Sequence, residues 1–392
     1  MNNIDLYNNN LAIFGVGLHA QRCLYLLNTK NIDIECYFDN RFAGKTFRGK
    51  KVLEVTTDNL RGKLIIIAVS AEKYQSVRVQ LIELGLKEFC DFIYYKLIDH
   101  KMVILYGNCH IEIMKAMLQN SKKFSCIYSF YPLPVIMEID SSILTEDILT
   151  NCDLFLGQDI RDNNPFGELC STSKIVSRLS STCDIYIIPN LYGLGTMYFP
   201  QYKKDFNKHE WDGFYINGKW DQFGFFPFSD SIIDDFLRRG MDDNSIISQC
   251  VNGKHFSADE IEKCFDDCIK KIREREKNWS IKCSDYIEEN FKFNRLFYEP
   301  EHPTNVMFEY ICQEMLKLFD ISDEVHTNIN LGYYETPIYP EVKEILGLKF
   351  ETEIVRMDNN ERSLNAIESY AEYVKQYLWW RRGYSFREEG DL

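Results

Sequence analysis

Apolar residues in the first hundred positions fall in short runs bounded by glycine and polar residues: Leu11–Phe14, Ile34–Phe38, Leu64–Val69 and Phe89–Tyr94. Runs of this length without polar alternation suit strands covered on both faces, so each predicts a parallel strand. Between them, Cys23, Leu24 and Leu27, and then Tyr74–Leu84, are spaced as helices, and Gly85 stops the second. The same rhythm restarts at Lys101. Val103, Ile104 and Leu105 form a strand, Gly107 a tight turn, and Ile111, Met114, Met117 and Leu118 one face of a helix. Further strands are predicted at Phe124–Pro132, Asp153–Leu156 and Ile185–Ile188, with a helical piece near Ile143–Leu149. Alternation of strand and helix makes the chain α/β.

Beyond residue 190 the pattern changes. Residues 191–230 are crowded with aromatics (Tyr192, Tyr198, Phe199, Trp211, Trp220) without helical or strand period, which reads as a lid, a sugar-stacking surface or a self-packed clamp. Asp230 opens a helix over Ile232–Arg239, and Ser257-Ala-Asp-Glu260 is a capping box for a charged helix through Arg275. Residues 363–382 are expected to form a final amphipathic helix.

The totals narrow the classes. At 392 residues two domains are expected, and 45% apolar with 14% aromatic content is globular. No apolar run approaches a membrane span, and the N-terminus lacks the basic-then-apolar layout of a signal peptide. The 13 scattered cysteines form no Cys-x-x-Cys pair, and Cys264 and Cys268 share a helix face with Ile261, Phe265 and Ile272, so core packing is expected there and no metal site. These features point to a cytoplasmic protein. Net charge is −14, unevenly spread: residues 1–98 hold 13 Lys+Arg against 10 Asp+Glu, the remainder 32 against 49. An acidic main body argues against nucleic acid as a partner and leaves any anionic cofactor in need of a local basic patch.

Two stretches carry candidate chemistry. The first is Gly15-Val-Gly17-Leu-His-Ala20 between strand and helix, with Asp39 closing the next strand. Gly15 permits a tight turn, Gly17 lets backbone approach a phosphate, Ala20 allows close helix packing and Asp39 is placed for a ribose hydroxyl. Residues 1–98 thus read as a Rossmann-like parallel-sheet module, followed by a larger α/β domain over 100–392. The module resembles the N-terminal domain of PglD-type sugar acyltransferases, which implies a nucleotide or nucleotide sugar as ligand; the alternative is a scaffold that binds nothing.

The second is Tyr106-Gly-Asn-Cys-His110, which stands at the carboxyl end of a strand where a helix N-terminus favours a thiolate or an oxyanion. Far downstream, Glu299-Pro-Glu-His302-Pro-Thr304 leads into an apolar helix. Gly107–His110 resembles the nucleophile block of the SGNH hydrolases with Cys for Ser, and Glu299-x-x-His302 resembles their closing Asp-x-x-His. More closely, these blocks, together with the Asp159/Asn190 region, resemble the WcbI family of capsule polysaccharide biosynthesis proteins over roughly residues 100–350. The resemblance implies an acyltransferase that takes acetyl-CoA or another acyl-CoA as donor and a sugar or polysaccharide hydroxyl as acceptor.

In that reading Cys109 is the nucleophile, His302 the base and Glu299 its orienting acid, with Glu301 and His110 as competitors for the last two roles. Gly157 and Asn190 would fill the oxyanion blocks, although Pro-Asn-Leu departs from the superfamily's Gly-x-Asn-Asp and an Asx turn suits Asn190 equally. Asn108 would steady the turn or donate to the oxyanion, and Arg161 is a strand-end cation open to phosphate or to a solvated salt bridge. Two other classes stay open: an esterase or deacetylase using the same triad, and a non-enzymatic nucleotide-sugar-binding protein with an inert Cys109.

Overall fold

The structure, a computed structural model, describes residues 6–7, 9–139, 143–202, 215–216, 219–220, 230–332, 335–352, 355–358, 364–367 and 369–388. The chain divides into two compact units, Met1–Ile188 and Pro189–Leu392.

The first unit holds two sheets. Strands β1 (Asn10–Phe14), β2 (Cys36–Phe38), β3 (Thr46–Phe47), β4 (Lys50–Leu53), β5 (Lys63–Ile67) and β6 (Phe92–Tyr94) are ordered β3-β4-β2-β1-β5-β6. All their pairings are parallel except β3 with β4. Strands β7 (Lys101–Tyr106), β8 (Tyr128–Phe130), β9 (Leu154–Gln158) and β10 (Asp184–Ile188) form a second, all-parallel sheet in the order β10-β9-β7-β8. The apolar runs forecast this: Leu11–Phe14, Leu64–Ile67 and Met102–Tyr106 are buried throughout, as strands covered on both faces must be.

The sheets change between Tyr94 and Lys101, where the sequence suggested a domain break, but the buried core runs on from Leu11 to Ile175. Part of what joins it is polar. The Arg78 Nε–Glu88 Oε2 pair, 2.6 Å long, is buried, and Glu88 Oε1 also accepts the hydroxyls of Tyr74 and Tyr131.

Three local expectations change. The β3–β4 hairpin was not foreseen; its two-residue turn puts Arg48 and Gly49 at φ +50° and +83°, the mirror-image geometry that matches strand twist. Residues Lys122–Ile127 are helical where a strand from Phe124 was expected, because Ser121 Oγ accepts the Phe124 N–H at 3.1 Å and starts a helix; the strand keeps only Tyr128–Phe130. Leu364–Ile367 pairs with Val355–Asp358 as a strand, and the last helix, Tyr370–Glu388, begins after Ser369 Oγ accepts the Glu372 N–H.

The second unit is mainly helical. Asp230 caps Ser231–Arg238, and the capping box at Ser257 opens Ala258–Arg275. Cys268 is buried and Cys264 half-buried on that helix; both bond Thr196, which is the core role expected of them. Of the aromatic segment, residues 203–214, 217–218 and 221–229 lie outside the described residues, Trp211 among them. No helix among the described residues is long and apolar enough to cross a membrane. None of the 13 cysteines is in a disulfide.

Candidate active site

The turn after β7 is built around a glycine and a buried amide. A Cβ on Gly107 would lie 2.2 Å from Gln158 Oε1, so only glycine lets the fully buried Gln158 side chain pass beneath the turn. That same oxygen accepts the Asn108 N–H at 2.8 Å, while the Gly107 carbonyl accepts the Ile136 N–H at 2.8 Å. Asn108 then caps the helix His110–Asn120: its Oδ1 accepts the His110 N–H at 3.1 Å and its carbonyl the Ile111 N–H at 3.0 Å. The sequence expected open N–H groups at this helix start; Asn108 occupies the first two. Cys109, in helical geometry at the N-cap position, is half-buried, and His110 is wholly buried.

The loop leaving β9 is tied to the same strand ends. The Thr172 hydroxyl donates to the Gln158 carbonyl at 2.5 Å and accepts the Ile160 N–H at 3.0 Å, and the Tyr106 hydroxyl donates to the Cys170 carbonyl at 2.5 Å. Gln158 and Thr172 were not singled out from the sequence. A polar side chain closing an apolar strand was the available signal for Gln158.

In the second unit, Glu299–His302 forms the tip of a narrow turn. Tyr298 N–H donates to the His302 carbonyl at 3.0 Å, and Phe297 bridges to Pro303. Arg295 grips the base of this turn, its guanidinium donating to the carbonyls of Phe297 (3.1 Å), Tyr298 (2.9 Å) and Thr336 (2.6 Å). Nothing in the sequence distinguished it from a surface arginine.

At the tip, Glu299 is 1% exposed. Its Oε1 lies on His302 Nδ1, and its Oε2 accepts the Glu301 N–H at 2.6 Å. The competing carboxylate, Glu301, takes the Tyr192 hydroxyl instead. A carboxylate at Nδ1 holds the ring proton there and leaves Nε2 as the basic nitrogen. His302, 29% exposed in its side chain, is thus oriented by a buried acid three residues earlier.

The remaining predicted positions each have local partners of their own. Gly157 lies inside β9, in register with Tyr106 and Ile187, not after the strand; a Cβ there would meet the Phe155 ring at 2.3 Å. Asn190 Oδ1 accepts the Tyr192 N–H at 3.2 Å, an Asx turn, and its carbonyl accepts from Arg275. Arg161 is exposed on the loop after β9.

In the first sheet, Gly15 has φ +116° and a Cβ on it would strike the Ala68 carbonyl at 2.7 Å. Gly17 sits at the start of helix Leu18–Thr29 with nothing within 4 Å of a would-be Cβ, and Ala20 is buried against the sheet. Asp39, at the end of β2, accepts the Arg41 N–H at 2.9 Å.

The profile of the family described as "Polysaccharide biosynthesis enzyme WcbI" matches residues 102–324, which include both Cys109 and His302. No curated protein matches the chain. A solved structure of WcbI, described as a novel polysaccharide biosynthesis enzyme in a native form without a disulfide between coenzyme A and one of its cysteines, shares the fold with a TM-score of 0.54. It is 17% identical, and the alignment covers 72% of this chain and 90% of that one.

Proposed function

The chain belongs to the WcbI family of polysaccharide biosynthesis enzymes, and on that footing we propose that it moves an acetyl or similar group from acyl-CoA to a sugar hydroxyl, with Cys109 as nucleophile and the Glu299–His302 pair as base. The observation that carries this reading is the buried Glu299 carboxylate on His302 Nδ1. An acid at a histidine's Nδ1 is the arrangement by which a base is oriented toward a thiol or hydroxyl. The family profile spans that pair and the cysteine alike. The coenzyme A named for the solved WcbI supports the donor.

The steps balance without a metal or redox partner. His302 Nε2 takes the Cys109 proton; the thiolate attacks the thioester carbonyl, the bond from acyl carbon to coenzyme A sulfur breaks, and coenzyme A leaves as its thiol with that proton. The sugar hydroxyl then gives its proton to His302 and attacks the acyl-cysteine. The Cys109 sulfur departs and recovers the proton. Exchange between two thioesters is close to thermoneutral, so a thiol suits transfer better than hydrolysis. The esterase alternative keeps the same residues with water as acceptor.

The test is radiolabelled acetyl-CoA with the full chain. Transfer to an acceptor sugar, lost in Cys109→Ala and in His302→Ala while both variants keep the wild-type melting temperature, is the expected result. Removing a nucleophile or base of this kind costs on the order of 10²–10⁴ in rate. Full activity in either variant removes that residue from the mechanism, and release of acetate to water at an equal rate with and without sugar makes the enzyme a hydrolase.

A further inference from the structure

Cations gather at the carboxyl edge of the first sheet. Because β1 lies between β2 and β5, the chain leaves it in both directions, and the exits of β1 and β5 flank a switch point of the kind where α/β sheets take ligands. The helix Leu18–Thr29 after β1 brings His19 and Arg22, the helix Ala71–Glu83 after β5 brings Glu72, and the short turn Tyr95–Leu97 after β6 brings Lys96. Lys115, on the helix that begins behind Cys109, joins from the second sheet, its Nζ 6.0 Å from the Phe130 ring centre. Tyr95 knits the group together, its hydroxyl 3.0 Å from His19 Nδ1 and bonded to Arg22.

The balance of charge is unfavourable as it stands. Burial and then Arg22 hold the Lys96 ammonium below its ordinary range, and burial and then Lys96 do the same to Lys115. The carboxylates set against them, Glu72 and Glu112, are both exposed, and the hydroxyl of Ser70 is the first partner of Glu72. Half-buried like charges raise the energy of a fold unless something of opposite sign is bound. Beside them, the open space over Gly17 leaves a helix start accessible.

We propose that this crevice, lined by His19, Arg22, Lys96 and Lys115, binds the pyrophosphate of a nucleotide-bearing ligand, with one phosphate over Gly17. Two sources share that chemistry: the nucleotide half of coenzyme A, which rests on the acyl-transfer reading above, and a nucleotide sugar, which does not. The crevice is the local basic patch that an anionic cofactor needs in a chain of net charge −14.

The test is calorimetric titration of the full chain with desulfo-coenzyme A, which keeps the pyrophosphate of coenzyme A without its thiol, and separately with UDP. Neither carries a thiol or a thioester, so the outcome is independent of whether Cys109 turns over. Binding of one of them by the wild type is expected, weakened about tenfold in Lys96→Gln, in Lys115→Gln and in Arg22→Gln, and largely restored in Lys96→Arg, since one charge-assisted phosphate contact is lost each time. Arg22 is exposed, so its variant guards against loss by misfolding. Which nucleotide binds assigns the source. Binding of neither nucleotide, or unchanged affinity across the three glutamine variants, overturns the proposal.

Discussion

Gly107 and Glu299 act through what surrounds them. In Gly107→Ala the new methyl would have to displace a buried amide that it meets at 2.2 Å. Overpacking of this sort costs about 1–3 kcal/mol, and moving Gln158 also releases the Asn108 N–H it accepts. A melting temperature lowered by several degrees, with the proposed acyl transfer slowed, is the expected result. An unchanged melting curve would mean that Gln158 swings aside without cost. For Glu299 the informative comparison is with its neighbour. Glu299→Gln keeps an oxygen for the Glu301 N–H but removes the negative charge at His302 Nδ1, so kcat should fall on the order of 10²-fold or more with KM little changed. Glu301→Gln, whose carboxylate serves Tyr192, should stay within a few-fold of wild type. Equal losses in both would remove the distinction between the two acids.

Single elements are held by side chains of uneven legibility. Asp230 and Ser257 announce their helices in the sequence, because an acceptor before an apolar period is what a helix start needs. The parallel strands were readable for a like reason: unbroken apolar runs have no other stable place. What stayed hidden depends on partners distant along the chain. The Arg48-Gly49 turn lacks the Asn-Gly signature of its geometry, Ser121 was overshadowed by the aromatics after it, and Arg295 finds its third carbonyl at Thr336. Arg295→Ala would remove the guanidinium from the Phe297 and Thr336 carbonyls, at about 1–3 kcal/mol for each left without a donor, while the Tyr298 carbonyl keeps the Thr336 N–H at 3.0 Å. Arg295→Lys should rescue little, since an ammonium cannot span that fork. The proposed acyl transfer should fall with stability in both; a fully active Arg295→Ala would show that the Glu299–His302 tip holds itself.

Asp230 gives a pH test of the same kind. It is buried and accepts from Ile232, Ile233 and the Tyr339 hydroxyl, and burial pushes its carboxyl up to about 6 against an ordinary 3.8. A raised carboxyl binds its proton more tightly in the folded state. Its contribution is therefore complete below about pH 3.8 and is lost as pH rises through 6, roughly 3 kcal/mol in all. Unfolding of Asp230→Asn, measured from pH 4 to 6.5, should lack that downward component relative to wild type. Parallel curves would place the charge of Asp230 in a more solvated setting.

At the scale of the molecule, the first unit raises the question of what its smallest folding piece is. Residues 1–98 look self-contained in sequence, with a Gly-rich turn and alternating elements, and their six strands make a sheet of their own. Yet Tyr74, Arg78 and Glu88 of that segment share a buried polar cluster with Tyr131, and Ile104, Tyr106, Tyr131 and Phe155 belong to the same apolar core as Ile13 and Ile65. Cutting after residue 98 would bare that face and leave the Arg78–Glu88 pair without Tyr131 over it, exposing charge whose burial is tolerable only while fully bonded. A 1–188 fragment keeps both sheets and all of those partners. We therefore expect 1–188 to unfold cooperatively in urea, and 1–98 to bind hydrophobic dye and unfold without a sharp transition. Within 1–188, Arg78→Leu should cost about 3–5 kcal/mol, because the Glu88 carboxylate would stay buried without its cation. Cooperative unfolding of 1–98 with a native-like midpoint would place the boundary at the change of sheet, and the Glu88 cluster would then be a contact between finished domains, not part of what folds the first.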